Sequence, residues 1–490
     1  MKLPKLVKLA FCIVNFLILL FGFCGVAGAA DQQTVERLQQ LIEQQQAQLK
    51  AQQQALEAQT KALEDLKIRV EALTKEEAAV EEKAAEAERL ATEAAKTAPV
   101  AKAEADKPAR EVEGIDLRKY EERRQHKEST SFQLPDTETA VTISGYTKLS
   151  VIHDFDKIES PTKFITSKIV VDGQPSGVPS SRTVLTANAS RFIIGTATPT
   201  DYGKLTTLIS VDFMGNSDST TPDLRLRQAW GKLDDFFWGG SLKAGQAWST
   251  MEDVSALPET MDFQGPNGSN QNRQPLIRWN RDFGDKYSLW LAAEDPASNI
   301  ENGDGRTRWP DGVMALQYKG GWGHLKSGLI LRPIIGEPDS GGGDDSQLGG
   351  GATLAGVINL PILGEKDNFK GRFTYGRGLG SYENESGVPD GVMDGDELNL
   401  LPLFAGYGAL QHWWSDSWRS NAVFGWLRVY NRKGQTDTSL QRTLYSALNL
   451  VWSPIQQMDI GGEVLWGQRN NKNGADGHAT RIQFSTRYVF

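Results

Sequence analysis

The chain has 490 residues, of which 39% are hydrophobic and 23% are charged, and its formal net charge is −9. Both cysteines, Cys12 and Cys24, lie near the N-terminus, which excludes disulfide frameworks, cysteine-ligated metals and thiol nucleophiles from the rest of the chain. No later run of about 20 apolar residues exists, which excludes membrane-spanning helices, and the acidic balance without a basic tail gives no indication of a nucleic-acid partner.

The N-terminal residues carry a signal for export. Three lysines in the first eight residues precede an apolar run over 9–23, and the small residues at 27–29 form the pattern that signal peptidase recognises. Residues 1–29 are therefore predicted to be a signal peptide, with the mature chain beginning near Ala30. An uncleaved membrane anchor is the alternative, but the apolar run is short for a span.

Residues 30–96 follow a heptad pattern with apolar residues at one repeating position: Val35, Ile42, Leu49, Leu56, Leu63 and Val70. Such a seam predicts an α-helical coiled coil, and a helix over 35–94 would extend on the order of 90 Å into the periplasm. Glutamines at three successive inner positions weaken this seam, so a solvated helix without a partner is the alternative. Residues 97–138 mix charged residues and alanine without an apolar period, which predicts a flexible linker.

Residues 139–490 change to a period of two, and the last strand shows it best. Ile482, Phe484, Tyr488 and Phe490 alternate with mostly polar residues. A soluble sandwich also alternates, but its apolar face points into a core and large aromatic residues seldom recur at strand ends that face outwards. In a transmembrane barrel the apolar face contacts lipid, aromatic residues flank it, and the polar face lines water.

Alternating runs and turn signals predict an all-β transmembrane barrel of about sixteen antiparallel strands. The predicted strands are 141–156, 190–200, 204–215, 223–233, 240–250, 275–283, 287–296, 312–320, 323–336, 349–363, 368–382, 403–415, 418–431, 443–454, 458–471 and 478–490. Because strand boundaries are uncertain, fourteen or eighteen strands remain as alternatives. A barrel of about sixteen strands is wide enough to leave an aqueous channel.

The last strand resembles that of Gram-negative porins, in which a terminal Phe with alternating apolar residues is the signal for the barrel-assembly machinery. Ile482, Phe484, Tyr488 and Phe490 match this signal. A narrower similarity is to DcaP-like porins. It depends on the signal peptide, the heptad stalk and the motifs Arg227-Gln228-Ala229-Trp230 and Gly245-Gln246-Ala247-Trp248-Ser249, followed by Pro258, Asp262 and Gly265-Pro266. The resemblance implies a homotrimer of sixteen-stranded barrels that passes small organic anions, dicarboxylates among them.

Basic residues dominate the charges within the predicted strands. A charge on the lipid face costs about 2 to 4 kcal/mol at mid-membrane, so we expect these side chains, with Arg428 and Arg442 among them, to point inwards wherever their neighbours are apolar. Rings of Arg and Lys favour anions. The candidates for the basic pore wall are Arg225, Arg227, Lys243, Arg278, Lys370 and Arg372. The alternative is that each arginine pairs with a loop carboxylate and fixes that loop against the wall.

The segment 250–274 is the predicted constriction loop, because porins of this size fold a loop into the channel at this position. It contains Glu252, Asp253 and Asp262 and ends near Arg273. Acidic residues on an inserted loop that face a basic wall would create a transverse field across the channel. The alternative is an exposed loop that never enters the pore.

The sequence therefore predicts a porin of the Gram-negative outer membrane, with its stalk in the periplasm, for passive diffusion of small hydrophilic solutes with a preference for organic anions. Four scattered histidines in the barrel provide no catalytic spacing, so we expect neither enzyme activity nor a metal or other cofactor. Expected partners are two further copies of the chain, outer-membrane lipid with lipopolysaccharide, and the assembly machinery. The alternative function is an envelope tether, in which the barrel anchors a stalk that binds peptidoglycan.

Overall fold

A computed structural model describes residues 130–216 and 219–490 of the chain. The predicted signal peptide, the predicted stalk and most of the predicted linker lie outside the described residues. Within the described part of the chain, no helix is long and apolar enough to cross a membrane.

The described residues form 22 β-strands, which all belong to one sheet, and three short 3-10 helices. The strands are β1 (Thr130–Gln133), β2 (Ala140–Asp154), β3 (Arg182–Thr186), β4 (Arg191–Thr200), β5 (Gly203–Asp212), β6 (Arg225–Phe236), β7 (Gly240–Trp248), β8 (Arg273–Phe283), β9 (Tyr287–Glu294), β10 (Ser298–Glu301), β11 (Gly303–Thr307), β12 (Asp311–Gly320), β13 (Gly323–Pro338), β14 (Asp345–Asn359), β15 (Asn368–Arg377), β16 (Gly391–Asp394), β17 (Glu397–Leu400), β18 (Pro402–Trp413), β19 (Trp418–Val429), β20 (Leu440–Ile455), β21 (Met458–Asn471) and β22 (Asp476–Val489). The 3-10 helices are Thr166–Lys168, Val254–Ala256 and Gly380–Tyr382.

Sixteen of these strands form a closed antiparallel barrel, as the sequence predicted. The wall strands are β2, β4 to β9, β12 to β15 and β18 to β22. The barrel closes where β2 pairs with the last strand, β22, with Tyr146 opposite Val489. Short turns, such as residues 201–202, join the wall strands at one rim, whereas the connections at the other rim are mostly long. The rim with the long loops is the extracellular one in outer-membrane barrels.

The six remaining strands extend the wall locally. β3 pairs with the extracellular end of β2, above β4. The hairpins β10–β11 and β16–β17 lie in the two long connections that precede β12 and β18, and β10 pairs with β16. β1 pairs with the start of β2, and the chain turns back between them at Asp136, which has a φ of 57°. A strand therefore occupies residues 130–133, which the sequence assigned to the linker.

The two faces of the wall differ as the alternation predicts. Ile482, Phe484, Tyr488 and Phe490, the predicted assembly signal, are all between 43% and 51% exposed on the outer face. Their neighbours along β22, such as Arg481 and Gln483, are buried on the inner face. The outer face is therefore an apolar surface suited to lipid, and the inner face is polar.

Two strand arginines do not follow the expectation that the basic residues point inwards. Arg428 of β19 and Arg442 of β20 are exposed, whereas Leu427, Val429 and Thr443 beside them are buried on the inner face. Both lie near the extracellular ends of their strands, where the cost of charge on the outer face falls to about 0 to 1 kcal/mol. Position along the strand therefore explains why outward-facing arginines are tolerated.

Replacing Leu448 by Arg tests the assignment of the outer face. Leu448 is 60% exposed near the middle of β20, so Leu448→Arg should lower the free energy of unfolding in lipid vesicles by about 2 to 4 kcal/mol. Ile455→Arg, at the end of the same strand, is the matched control and should cost about 0 to 1 kcal/mol. Equal losses at the two positions would contradict the assignment. Equilibrium unfolding by urea, followed by tryptophan fluorescence, measures both.

Candidate functional site in the barrel lumen

Residues 249–272, which connect β7 to β8, fold into the barrel lumen, and we call this segment the inserted loop. Most of its residues are buried. Its backbone carbonyls accept hydrogen bonds from the wall: the Leu257 carbonyl accepts from Lys370 Nζ at 3.1 Å, and the Ala256 carbonyl accepts from the Tyr407 hydroxyl at 3.1 Å. Because these residues belong to β15 and β18, the inserted loop crosses the lumen.

A carboxylate of the far wall secures the middle of the inserted loop. Glu463 of β21 accepts hydrogen bonds from the backbone N–H groups of Met261 at 3.0 Å and Asp262 at 2.7 Å. The Met261 carbonyl accepts in turn from Lys148 Nζ at 2.6 Å and from Gln483 Nε2 at 2.9 Å. The wall therefore satisfies the buried backbone groups of this segment, as burial requires.

An ion pair and two further hydrogen bonds secure the part of the loop that precedes that point. Glu259 receives two hydrogen bonds from Arg419 of β19, both at 2.6 Å, in the bidentate geometry that arginine favours. Asp253 accepts from His324 Nε2 of β13 at 2.7 Å, and the Glu252 carbonyl accepts from Lys326 Nζ at 2.5 Å. The inserted loop is thus attached to strands around a large part of the wall.

The returning half of the inserted loop lies directly on the wall. Gly268 adopts a φ of +79°, and a Cβ at this position would come within 2.3 Å of the Gly406 backbone nitrogen. Arg372 donates to the Gly268 carbonyl at 2.5 Å and contacts Glu383 at 3.4 Å. Both the close approach and the left-handed conformation therefore require glycine here.

Two other extracellular loops join the inserted loop inside the barrel. Asp262 accepts hydrogen bonds from the backbone N–H of Phe164 at 2.9 Å and of Gly265 at 3.0 Å. Glu385 accepts from the hydroxyl of Thr166 at 2.5 Å and from the backbone N–H of Ser167 at 3.1 Å. Carboxylates thus connect the 155–181 connection, the inserted loop and the 378–401 connection to one another.

A group of cations surrounds one aromatic ring of the inserted loop. Lys163 Nζ lies 5.8 Å, Arg225 Cζ 5.4 Å and Arg227 Cζ 5.7 Å from the centre of the Phe263 ring. Besides burial, the positive charge of Arg273 contributes to a lower pKa of Lys163. We call Lys163, Arg225, Arg227 and Arg273 the basic cluster.

The charge balance of the basic cluster is positive. Asp212 of β5 accepts from Arg225 at 3.0 and 2.7 Å and from Arg227 at 2.9 Å, so one carboxylate serves two guanidinium groups. Burial, followed by the neighbouring Arg225, lowers the pKa of Lys163 to about 8, because both disfavour its charged form. The Arg225 side chain is 26% exposed, whereas that of Arg227 is fully buried.

The six candidates for the basic wall occupy different parts of the lumen. Arg225 and Arg227 belong to the basic cluster. Lys243 is buried with its Nζ 3.7 Å from the centre of the Trp230 ring, and Arg278 donates to the Trp248 carbonyl at 3.2 Å. As described above, Lys370 and Arg372 donate to carbonyls of the inserted loop. Their side chains secure that loop, so the six do not form a single basic surface.

The residues of the predicted constriction loop are also divided by location. Glu252, Asp253 and Asp262 are buried. The Glu252 carboxylate accepts a hydrogen bond from the Asn270 backbone N–H at 2.8 Å, and the other two carboxylates make the contacts described above. Arg273 stands where β8 begins, with its guanidinium 4.5 Å from the centre of the Trp248 ring. The acidic side chains therefore secure the loop, whereas Arg273 lies at the basic cluster.

Sequence reasoning missed Lys163 and Phe263. Lys163 lies in a long connection without periodicity, so nothing in the sequence indicated its approach to the lumen. The wall carboxylates could be recognised from the sequence, because acidic residues are rare within the predicted strands and therefore stand out there. Among the residues described, no group of three His, Asp or Glu side chains could hold a metal ion.

Residues 112–329 match the family described as DcaP outer membrane protein. The resemblance to DcaP-like porins is confirmed. The match covers less than half of the chain, and the barrel has the fold of outer-membrane channel proteins. A search of curated proteins finds no matching sequence.

Several solved outer-membrane proteins align with the chain. The outer membrane channel DcaP of Acinetobacter baumannii aligns with a TM-score of 0.64 at 18% identity, over 74% of this chain and 100% of its own. An anion-selective porin from Comamonas acidovorans aligns with a TM-score of 0.49 at 12% identity, over 72% and 100%. A loop-deletion mutant of OmpT from Vibrio cholerae gives 0.47 at 11%, over 72% and 99%. At 18% identity, the DcaP channel supports the fold alone.

Replacing Glu463 by Ala should release the inserted loop. The change leaves two buried N–H groups without their acceptor, at about 1 to 3 kcal/mol each. A reporter Ala256→Cys is fully buried in the intact loop. Its thiol should therefore be labelled at least about tenfold faster in the Glu463→Ala background. Glu337→Ala, at an exposed position on β13, is the control, and equal labelling rates would contradict the role of Glu463.

The inserted loop should also make stability depend on pH. Burial is the largest cause that raises the pKa values of Glu252 and Glu383 to about 7 from 4.5. The folded protein then retains protons that the unfolded chain releases, so this stabilisation is present below about 4.5 and is lost as the pH rises through about 7.

The melting temperature should accordingly fall between about pH 5 and pH 8. The double variant Glu252→Gln, Glu383→Gln should show a shallower fall, because glutamine cannot ionise. Glu337→Gln serves as the control with an unchanged slope. Thermal unfolding in detergent across this pH range measures the effect, and identical slopes in all three proteins would refute it.

Proposed function

We propose that the protein is an outer-membrane channel for passive diffusion of small hydrophilic solutes, with a preference for organic anions such as dicarboxylates. The observation that carries this proposal is the basic cluster, in which three cations lie within 6 Å of the Phe263 ring. An anion that passes the inserted loop at this point would meet several positive charges in a confined space.

The preference for anions follows from how the charges of the lumen are compensated. At the basic cluster, Asp212 faces both Arg225 and Arg227, and part of the Arg225 side chain remains in contact with solvent. On the opposite side, the carboxylates of Glu252 and Asp253 lie near Lys326, Arg372 and His324. Excess positive charge in a low-dielectric lumen raises the local concentration of anions.

The arrangement of opposite charges also bears on the shape of the solute. The basic cluster lies at β5, β6 and β8, whereas the carboxylates of Glu252 and Asp253 lie near β13 and β15, and this separation would orient a dipolar or doubly charged solute. Aromatic rings beneath the cations provide an apolar surface for the carbon skeleton of an organic anion. Both features favour organic anions over chloride alone.

The assembly of the channel follows from the resemblance to DcaP-like porins. We expect three copies of the chain in the membrane, a periplasmic stalk formed by residues 30–96, and insertion by the barrel-assembly machinery that recognises the terminal strand. The alternative function as a tether depends on the stalk and its contact with peptidoglycan, and the stalk lies outside the described residues.

Removing two charges of the basic cluster, both on partly buried side chains, tests the proposed selectivity. The double variant Arg225→Gln, Arg273→Gln should lower the permeability ratio of anions to cations severalfold, measured as the reversal potential of single channels under a salt gradient. Arg281→Gln, which removes a charge from the periplasmic end of β8, should leave the ratio unchanged. An unaltered reversal potential in the double variant would refute the role of the cluster, and absence of conductance in the intact protein would refute the channel.

A further inference from the structure

Three arginines face outwards at the extracellular ends of three strands, which lie within a run of four adjacent wall strands. Arg377 is the last residue of β15, and Arg428 and Arg442 lie near the corresponding ends of β19 and β20. All three side chains are exposed on the outer face. We call them the outer arginines.

Their spacing is close enough for one ligand. The pairing of β19 with β20 sets Arg428 directly opposite Arg442. Arg377 is opposite Pro402 of β18, and Phe404 of the same strand is opposite Arg428. Two strand spacings of about 4.8 Å, together with an offset of two residues along the strand, therefore separate the backbones of Arg377 and Arg428, which is about 12 Å.

Such a grouping of like charges needs a compensating anion. Like charges directly opposite on neighbouring strands are destabilising. Arg442 donates to the Asn470 side chain, and Arg428 lies 5.2 Å from the centre of the Tyr430 ring, but neither contact supplies negative charge. Within the described residues, no carboxylate forms a salt bridge with any of the three.

An apolar groove on the outer face leads to Arg377. It has a volume of about 920 Å³, and Arg377 and Tyr375 form part of its lining. Leu329 and Leu331, which are 51% and 62% exposed, also line it. Three glycines without side chains, Gly312, Gly350 and Gly351, form the floor of the groove. The groove is thus an extended apolar channel with a cation at its extracellular end.

We propose that the outer arginines and this groove bind a phosphorylated lipid of the outer leaflet. One acyl chain lies in the groove along Leu329 and Leu331. Its headgroup phosphates accept hydrogen bonds from Arg377 and from the pair formed by Arg428 and Arg442. Guanidinium groups match phosphate oxygens in a bidentate geometry, which a hydrated lysine would not provide. The site lies outside the lumen and does not depend on solute passage.

The ligand chemistry follows from combining both features. A soluble phosphate would use the arginines but leave the groove exposed to the membrane. An uncharged lipid would fill the groove but leave three positive charges uncompensated. Only an amphiphile with phosphate groups next to its acyl chains satisfies both requirements, and lipid A, the membrane anchor of lipopolysaccharide, has this chemistry.

The test uses the full chain purified in detergent, with bisphosphorylated lipid A as the probe and native mass spectrometry to measure the bound fraction. The triple variant Arg377→Gln, Arg428→Gln, Arg442→Gln should raise the apparent Kd at least about tenfold. The matched control is Arg281→Gln, Lys286→Gln, Lys366→Gln, which removes three basic charges at the periplasmic rim. It should bind lipid A as the unaltered protein does.

Three results would overturn the proposal. Equal binding by the triple variant and its control would remove the outer arginines from any lipid site. Displacement of lipid A by millimolar inorganic phosphate would show a site for phosphate without the acyl chain. A change in the mass of the oligomer in the triple variant would assign this face to contact between copies of the chain. Single-channel conductance of the same samples is a separate measurement, so a failure of the proposed channel would not be mistaken for a failure of lipid binding.

Discussion

The structure depends on the requirement that a charge buried in the barrel must have a partner. The wall contains few inward-facing carboxylates, and each organises something else. Glu463 and Glu294 accept backbone N–H groups of the inserted loop, the latter from Thr250 at 2.6 Å. Asp154 orients Arg481, which in turn donates to a carbonyl of the 155–181 connection at 2.9 Å. A small number of acids therefore determines where the loops lie inside the barrel.

Arginine serves three purposes in this protein, and burial separates them. Arg332 is fully buried between Asp311 and Asp390, at 2.8 and 2.7 Å, and fixes the 378–401 connection to the wall. Arg225 is partly exposed beside the inserted loop, where it pairs with Asp212. The outer arginines face the membrane at its polar boundary. The same side chain is thus a buried structural anchor, a partly exposed cation of the lumen or a surface residue, according to its depth and direction.

The sequence was sufficient for the barrel, because alternation along a strand directly reports which face meets lipid. It was insufficient for the lumen, because loop paths depend on contacts between residues far apart in the chain. Lys370 and Arg372 illustrate this difference. Their inward direction could be predicted from the neighbouring residues in the strand. Their hydrogen bonds to the inserted loop could not, because the acceptors lie more than 100 residues away in the chain. Alternation also could not distinguish the middle of a strand from its end, which is why Arg428 and Arg442 were expected to face inwards.

The attachment of the inserted loop to β21 has a consequence for biogenesis. Glu463 lies 202 residues after Met261, so its contact can form only when nearly the whole barrel has been translated and laid down. Earlier strands can hold the loop before then, through Glu294, His324 and Lys370. The contact with Glu463 would complete the attachment late, close to the step in which β22 pairs with β2 and the barrel closes.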